Sequence, residues 1–178
     1  MLKKWKRLNS KIVHKNPWWT YKLDEFEIPG GVRGEYHHVF TRGSSMIIPR
    51  LDDGRILLVK QYRYLCDRES IEFPCGSVKS GSDYLQTAHA ELQEESGFCA
   101  GKMAQIGEFN PFNGVTGEIC RVFLASGLEK AISTPDATEE FELLRCTPAE
   151  IDILIRDGII WDGMTLAAWL LARGCING

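Results

Sequence analysis

Glu91, Glu94 and Glu95 stand in the run Glu91-Leu92-Gln93-Glu94-Glu95-Ser96-Gly97, and carboxylates at this spacing can ligate a hard divalent cation. On a helix of 3.6 residues per turn, Glu91 lies about one turn from both Glu94 and Glu95, so the three crowd one surface. Like charges placed this way cost roughly 0.2–0.5 kcal/mol per pair. Gly97 marks a helix C-terminus, where the macrodipole disfavours negative charge further. A bound cation would reverse both penalties; the alternative reading of these seven residues is a solvated acidic face.

The elements that must hold this cluster can be read along the chain. Residues 17–28 and 34–41 are aromatic and β-branched runs separated by Pro29-Gly30-Gly31, which predicts two strands of a hairpin. Ser45-Met-Ile-Ile-Pro49 and Arg55-Ile-Leu-Leu-Val-Lys-Gln61 flank an Asp53-Gly54 turn signal and predict a second pair. Ser70-Ile-Glu-Phe-Pro-Cys-Gly76 reads as a short strand. The first helix follows, with Leu85, Ala88 and Leu92 as its apolar stripe and the carboxylates beside it. Strands are predicted at 102–109, 118–125 and 139–146, the last after the polar loop 133–138. Thr147-Pro148-Ala149-Glu150 is a capping box with proline at the first helical position, and a final helix over 163–173 stops at Gly174. Strands first, one helix among them and helices last predict an α+β or layered α/β/α core.

A chain of 178 residues is long enough to bury about 70% of its unfolded surface around one core, so it needs no disulfide or metal scaffold. A net charge of -3 gives no reason to expect nucleic acid or an anionic membrane as partner. The six cysteines (66, 75, 99, 120, 146, 175) form no CxxC pair, and no window approaches a membrane span of about 18 apolar residues. The basic start, Met-Leu-Lys-Lys-Trp-Lys-Arg, lacks the apolar stretch of a secretory signal. A reducing cytoplasm is the simplest setting.

From Gly76 to Phe98 the chain resembles the Nudix box: a glycine, five residues, Glu, seven residues, then Arg-Glu-apolar-x-Glu-Glu-x-Gly-apolar. Gly76, Glu91, Leu92, Glu94, Glu95, Gly97 and Phe98 occupy seven of the nine defined positions; Ser82 replaces the first glutamate and Ala90 the arginine. The two missing groups have opposite charge, so neither loss strands an ion. Val59-Lys-Gln-Tyr-Arg63, Ile71-Glu-Phe-Pro74, Asn16-Pro-Trp-Trp19 and the tail 157–168 are similar to the ADP-ribose pyrophosphatase branch of the Nudix hydrolases. Asn113-Gly114 stands where that branch often has Pro-Gly.

The resemblance implies an α/β/α sandwich around a mixed sheet (43–178) with an N-terminal antiparallel β subdomain (1–42), exchanged across a homodimer. It implies magnesium, or manganese, held by Glu91, Glu94, Glu95 and the Cys75 carbonyl. The cation would neutralise phosphate oxygens and lower the pKa of a bound water. Glu140, or its neighbour Glu139, lies where related enzymes place an acid that activates water, or is a solvated loop glutamate. Arg63 and Glu72 are expected in the substrate site, Arg63 gripping a phosphate through its planar fork, or the two form a structural pair. Trp18 or Trp19 with Tyr36 would sandwich a purine, or serve as core and dimer contacts. The implied reaction is hydrolysis of a nucleoside diphosphate sugar, ADP-ribose giving AMP and ribose 5-phosphate. The alternatives are another nucleotide sugar such as GDP-mannose, or a Nudix-fold nucleotide-binding module weakened by the loss of Arg and Glu at 90 and 82.

Overall fold

The structure is a computed structural model that describes residues 2–132 and 140–176. The chain packs as two units, one made of Met1–Arg42 with Asn110–Glu118 and the other of Gly43–Phe109 with Ile119–Gly178.

The first unit is an antiparallel sheet of β1 (Lys6–Lys15), β2 (Thr20–Glu27) and β3 (Arg33–Phe40) in that order. The β2–β3 hairpin closes where Pro29-Gly30-Gly31 predicts it, with the Ile28 N–H donating to Val32 O at 2.9 Å. Strand β1 is an addition that the sequence does not announce: all ten of its residues are exposed, so no alternation of apolar and polar marks it. Segment 110–118 joins this unit through the Val39 N–H, which donates to Val115 O at 2.9 Å, and the Tyr36 hydroxyl, which donates to Gly114 O at 3.0 Å.

In the second unit β4 (Ser44–Pro49), β7 (Cys75–Ser77), β8 (Phe98–Phe109) and β9 (Cys120–Lys130) form a mixed sheet of order β7-β4-β9-β8, with β4 parallel to β9. Every residue of β4 is buried, as a central strand covered on both faces requires. Alternation then divides the core. Met46, Ile48 and Val122 face α2 (Pro148–Arg156) and α3 (Gly163–Ile176) through Ile151, Ala168, Trp169 and Ala172. Ile47, Phe123 and Ala125 face α1 (Tyr84–Ser96) through Ala88 and Leu92. Helices thus cover both faces of a mixed sheet, the α/β/α arrangement the sequence implies. A second, antiparallel sheet contains β10 (Glu142–Cys146), β5 (Ile56–Arg63) and β6 (Arg68–Glu72) in that order.

Three local expectations change. The runs 45–49 and 55–61 are not a paired hairpin. The Asp-Gly turn forms, with the Leu51 N–H on Arg55 O at 2.8 Å and one bridge between Arg50 and Ile56, but β4 and β5 then part into different sheets. The apolar stretches Met46–Ile48 and Ile56–Val59 are both fully buried, as interior strands of two different sheets require. On α1, Leu85 is exposed at 45%, while Thr87, Glu95 and Ser96 join Ala88 and Leu92 on the buried face. The last helix runs through Gly174 to Ile176. Burying Ile176 is worth about 1.5–3 kcal/mol, more than the roughly 1 kcal/mol that an interior glycine costs.

Candidate active site

Helix α1 carries the three glutamates, and both its ends are fixed by local chemistry. Asp83 caps the start: its carboxylate accepts the Gln86 N–H at 2.8 Å while the Gln86 side chain accepts the Asp83 N–H at 3.0 Å. Gly97 ends the helix at φ 69°, with its N–H on Gln93 O at 2.9 Å. The Ser45 hydroxyl donates to the Tyr84 carbonyl at 2.7 Å, and the Arg121 guanidinium lies 4.2 Å from the Tyr84 ring centre, tying the first turn to β4 and β9.

The far end of the helix faces the segment 72–76. A β-carbon built at Gly76 would meet the Glu91 carboxyl carbon and oxygens at 2.0–2.4 Å, so the Glu91 head group occupies space that only glycine leaves open. One residue earlier, the Cys75 N–H donates to Glu95 Oε2 at 3.3 Å. Glu95 is 7% exposed, and a buried carboxylate needs such a donor or a cation. Glu94 is half-buried on the same turn. The Cys75 thiol is pushed well above its ordinary range by its hydrogen bond with Cys120, by burial, and by the nearby charges of Cys120, Glu95 and Glu91. A thiol raised this way stays protonated near neutral pH.

Arg63, at the end of β5, donates from Nε to Glu72 Oε1 at 2.8 Å and from Nη2 to Glu72 Oε2, a two-pronged pair. The Glu72 side chain is 4% exposed, that of Arg63 46%. The guanidinium is held above its already high range first by this bond, against partial burial, with Asp162 and Glu95 adding their charges. The structural pairing considered from sequence is present, and it occupies two of the five N–H donors of the fork.

The other expected residues lie elsewhere. Glu140 lines a cavity of about 500 Å³ with Lys60, Tyr62, Glu69 and Glu142, and none of Glu91, Glu94 and Glu95 is part of its wall. Register explains this. Glu142 pairs with Lys60, on the face of β5 opposite to Arg63, whereas Glu72 pairs with Val59 on the Arg63 face. Glu139 lies outside the described residues.

In the first unit, Asn16 Oδ1 accepts the N–H groups of Trp18 (2.9 Å) and Trp19 (2.8 Å), a side-chain turn that presents both indoles. They line a cleft of about 190 Å³ with Lys15, Phe40, Thr41 and Arg42. Tyr36 is not among its walls. It stands four residues from Phe40 on β3, roughly 13 Å along the strand. Within one chain, the aromatic facing the tryptophans is thus Phe40, which sequence reasoning passed over although Tyr36, His38 and Phe40 alternate visibly.

Among the described residues no three His, Cys, Asp or Glu side chains converge closely enough to form a ready-made metal cage. The donor chemistry nevertheless suits a hard divalent ion: carboxylate oxygens, one cradled at Gly76 and another beside the Cys75 main chain.

A family model described as NUDIX domain matches residues 40–167. The ADP-ribose pyrophosphatase of Bacillus subtilis (strain 168) is 28% identical over 170 residues, covering 92% of this chain and 92% of that protein. The methanol dehydrogenase activator of Bacillus methanolicus is 29% identical over 149 residues, covering 83% of this chain and 80% of that protein. A solved structure described as a crystal structure of ADP compounds hydrolase superposes with a TM-score of 0.88 at 23% identity. It covers 100% of this chain and 97% of that one, and shows that the fold is shared.

Proposed function

The chain belongs to the NUDIX domain family, and on that premise we propose that it hydrolyses the pyrophosphate bond of a nucleoside diphosphate sugar, ADP-ribose to AMP and ribose 5-phosphate being the leading reaction. The observation that carries this reading is the fit of the Glu91 carboxylate into the space left by Gly76, with Glu95 on the adjacent Cys75 N–H. Two acidic groups are thereby aimed at one backbone corner. The ADP-ribose pyrophosphatase of Bacillus subtilis, similar along nearly the whole chain, favours the same substrate class.

Hydrolases of this family generally use divalent metals, and magnesium or manganese fits these oxygen donors. Glu91, Glu95, Glu94 and the Cys75 carbonyl would hold the ion, which when bound supplies charge neutralisation at the phosphate oxygens and acidifies water. The Cys75 N–H orients the Glu95 carboxylate through one of its oxygens. Arg63 has N–H donors beyond the two engaged by Glu72, enough to orient a phosphate oxygen. Trp18 and Trp19, held by Asn16, would stack the base without reading it finely. Glu140, an exposed acid on the approach to β10, lines a cavity that none of Glu91, Glu94 and Glu95 lines, and we do not assign it the base. We place the enzyme in the cytoplasm as a homodimer, because a three-stranded sheet with a wholly exposed first strand is a poor unit by itself. No helix among the described residues is long and apolar enough to cross a membrane.

Incubation with ADP-ribose, GDP-mannose and other nucleotide sugars, with magnesium, manganese or a chelator, tests this. Nucleoside monophosphate should accumulate only with metal, and fastest from ADP-ribose. Tight binding of one nucleotide without product from any would overturn the hydrolase reading in favour of a binding module.

A further inference from the structure

We propose that Arg63 is a positioning residue for the acidic cluster, standing in through Glu72 for the arginine that Ala90 does not supply. The inference rests on the hydrolase reading above. Position 90 is an exposed alanine, so α1 itself supplies no cation at the place where the family pattern has one. Arg63 approaches from β5 instead and clamps both oxygens of Glu72, whose side chain is almost wholly buried.

Glu72 begins the short segment that forms the floor of the site. After it come Phe73, 1% exposed, and Pro74, whose carbonyl accepts the Ile47 N–H at 2.9 Å. Next are Cys75, whose N–H holds Glu95, and Gly76, whose open face receives Glu91. Only two residues separate Glu72 from Cys75. A two-pronged bond on Glu72 therefore fixes the azimuth of the backbone that orients both ligating glutamates. A single-point contact would leave rotation about the Glu72 side chain. The charge of Arg63 also reaches Glu95, offsetting part of the repulsion that Glu91 and Glu94 impose on it.

The fork, not the charge alone, does this work, which makes Arg63→Lys the informative variant. Its test uses the substrate-free protein first. Mn2+ affinity by electron paramagnetic resonance should fall about tenfold in Arg63→Lys, and the Cys75 amide should exchange its hydrogen faster in metal-free buffer. In turnover, kcat should drop about 10- to 100-fold, beyond any rise in KM from the weakened phosphate contact. Glu72→Gln, which keeps the shape of the buried side chain, should reproduce the same signature and decides alone if Arg63→Lys is too unstable to assay. Wild-type Mn2+ affinity and Cys75 protection in these variants, with or without a raised KM, would overturn the proposal and leave Arg63 a phosphate contact at most. A wild-type protein that binds no Mn2+ would instead remove the metal-dependent hydrolase reading on which the proposal stands.

Discussion

Gly76 and Glu91 share one volume: the side chain that any other residue would place at 76 would overlap the carboxyl group of Glu91, at 2.0 Å from its carbon. Gly76→Ala must therefore expel Glu91 or bend β7. Because a displacement of about 1 Å at a reacting centre can cost about 10²-fold, turnover should fall at least that far. The fold should persist, since the overlap is with one partly exposed head group. Parallel activity and thermal-unfolding measurements check this, and near-normal turnover would show that Glu91 need not sit where it does.

Glu95→Gln keeps an acceptor for the Cys75 N–H while removing the charge. Losing several kcal/mol of metal-supplied stabilisation should slow turnover roughly 10³-fold. In chelated buffer the same change relieves like-charge repulsion of about 0.5 kcal/mol, so Tm should stay level or rise by about 1–2 °C. A variant with wild-type rate would refute the metal assignment.

In the N-terminal unit, Trp18→Ala and Phe40→Ala should each raise KM about tenfold with kcat little changed, because stacking is worth about 1–3 kcal/mol per base and is made equally in ground and transition states. Tyr36→Ala, which removes the ring together with the bond to Gly114 O, should leave KM unaltered. A large KM effect at Tyr36 would mean that the tyrosine reaches the base from a second chain.

Glu150 supplies a pH-dependent term. Its carboxylate accepts the Thr147 N–H at 2.7 Å and the Thr147 hydroxyl at 2.9 Å, which hold its pKa below the ordinary glutamate value. A carboxylate whose pKa is lower folded than unfolded contributes stability above the unfolded value, and that contribution is lost as pH falls through the folded one. Urea unfolding of wild type and Glu150→Gln from about pH 7 to about pH 3 should therefore show their difference shrinking at acid pH. A difference that grows on acidification would contradict the cap.

The capping box at Thr147 and the C-terminal glycine of α1 were legible in the sequence because they depend on a few contiguous residues. So was the acidic cluster, whose spacing alone implies one helical surface. What was not legible depends on partners distant in sequence. β1 shows no alternation because none of its residues is buried. β4 and β5 look like hairpin arms because each is apolar, yet their partners are β9 and β7 for one and β10 and β6 for the other. Leu85 fits the stripe of α1 by period, but in the first turn it is 45% exposed while Thr87, Ala88, Leu92, Glu95 and Ser96 make the buried face. The pairing of Arg63 with Glu72 was one of two open readings, since both residue types serve phosphate binding and ion pairing equally well.

The parting of β4 from β5 beyond the turn at 51–54 has a consequence for how the second unit comes apart. A continuous stretch of chain is the centre of one sheet and, a few residues later, the centre of the other. Neither sheet can fray without pulling on its counterpart through a linker too short to absorb slack. Amide hydrogens of β4 and β5 should accordingly exchange only in global unfolding, as one cooperative block, while the termini of the same unit exchange by local opening.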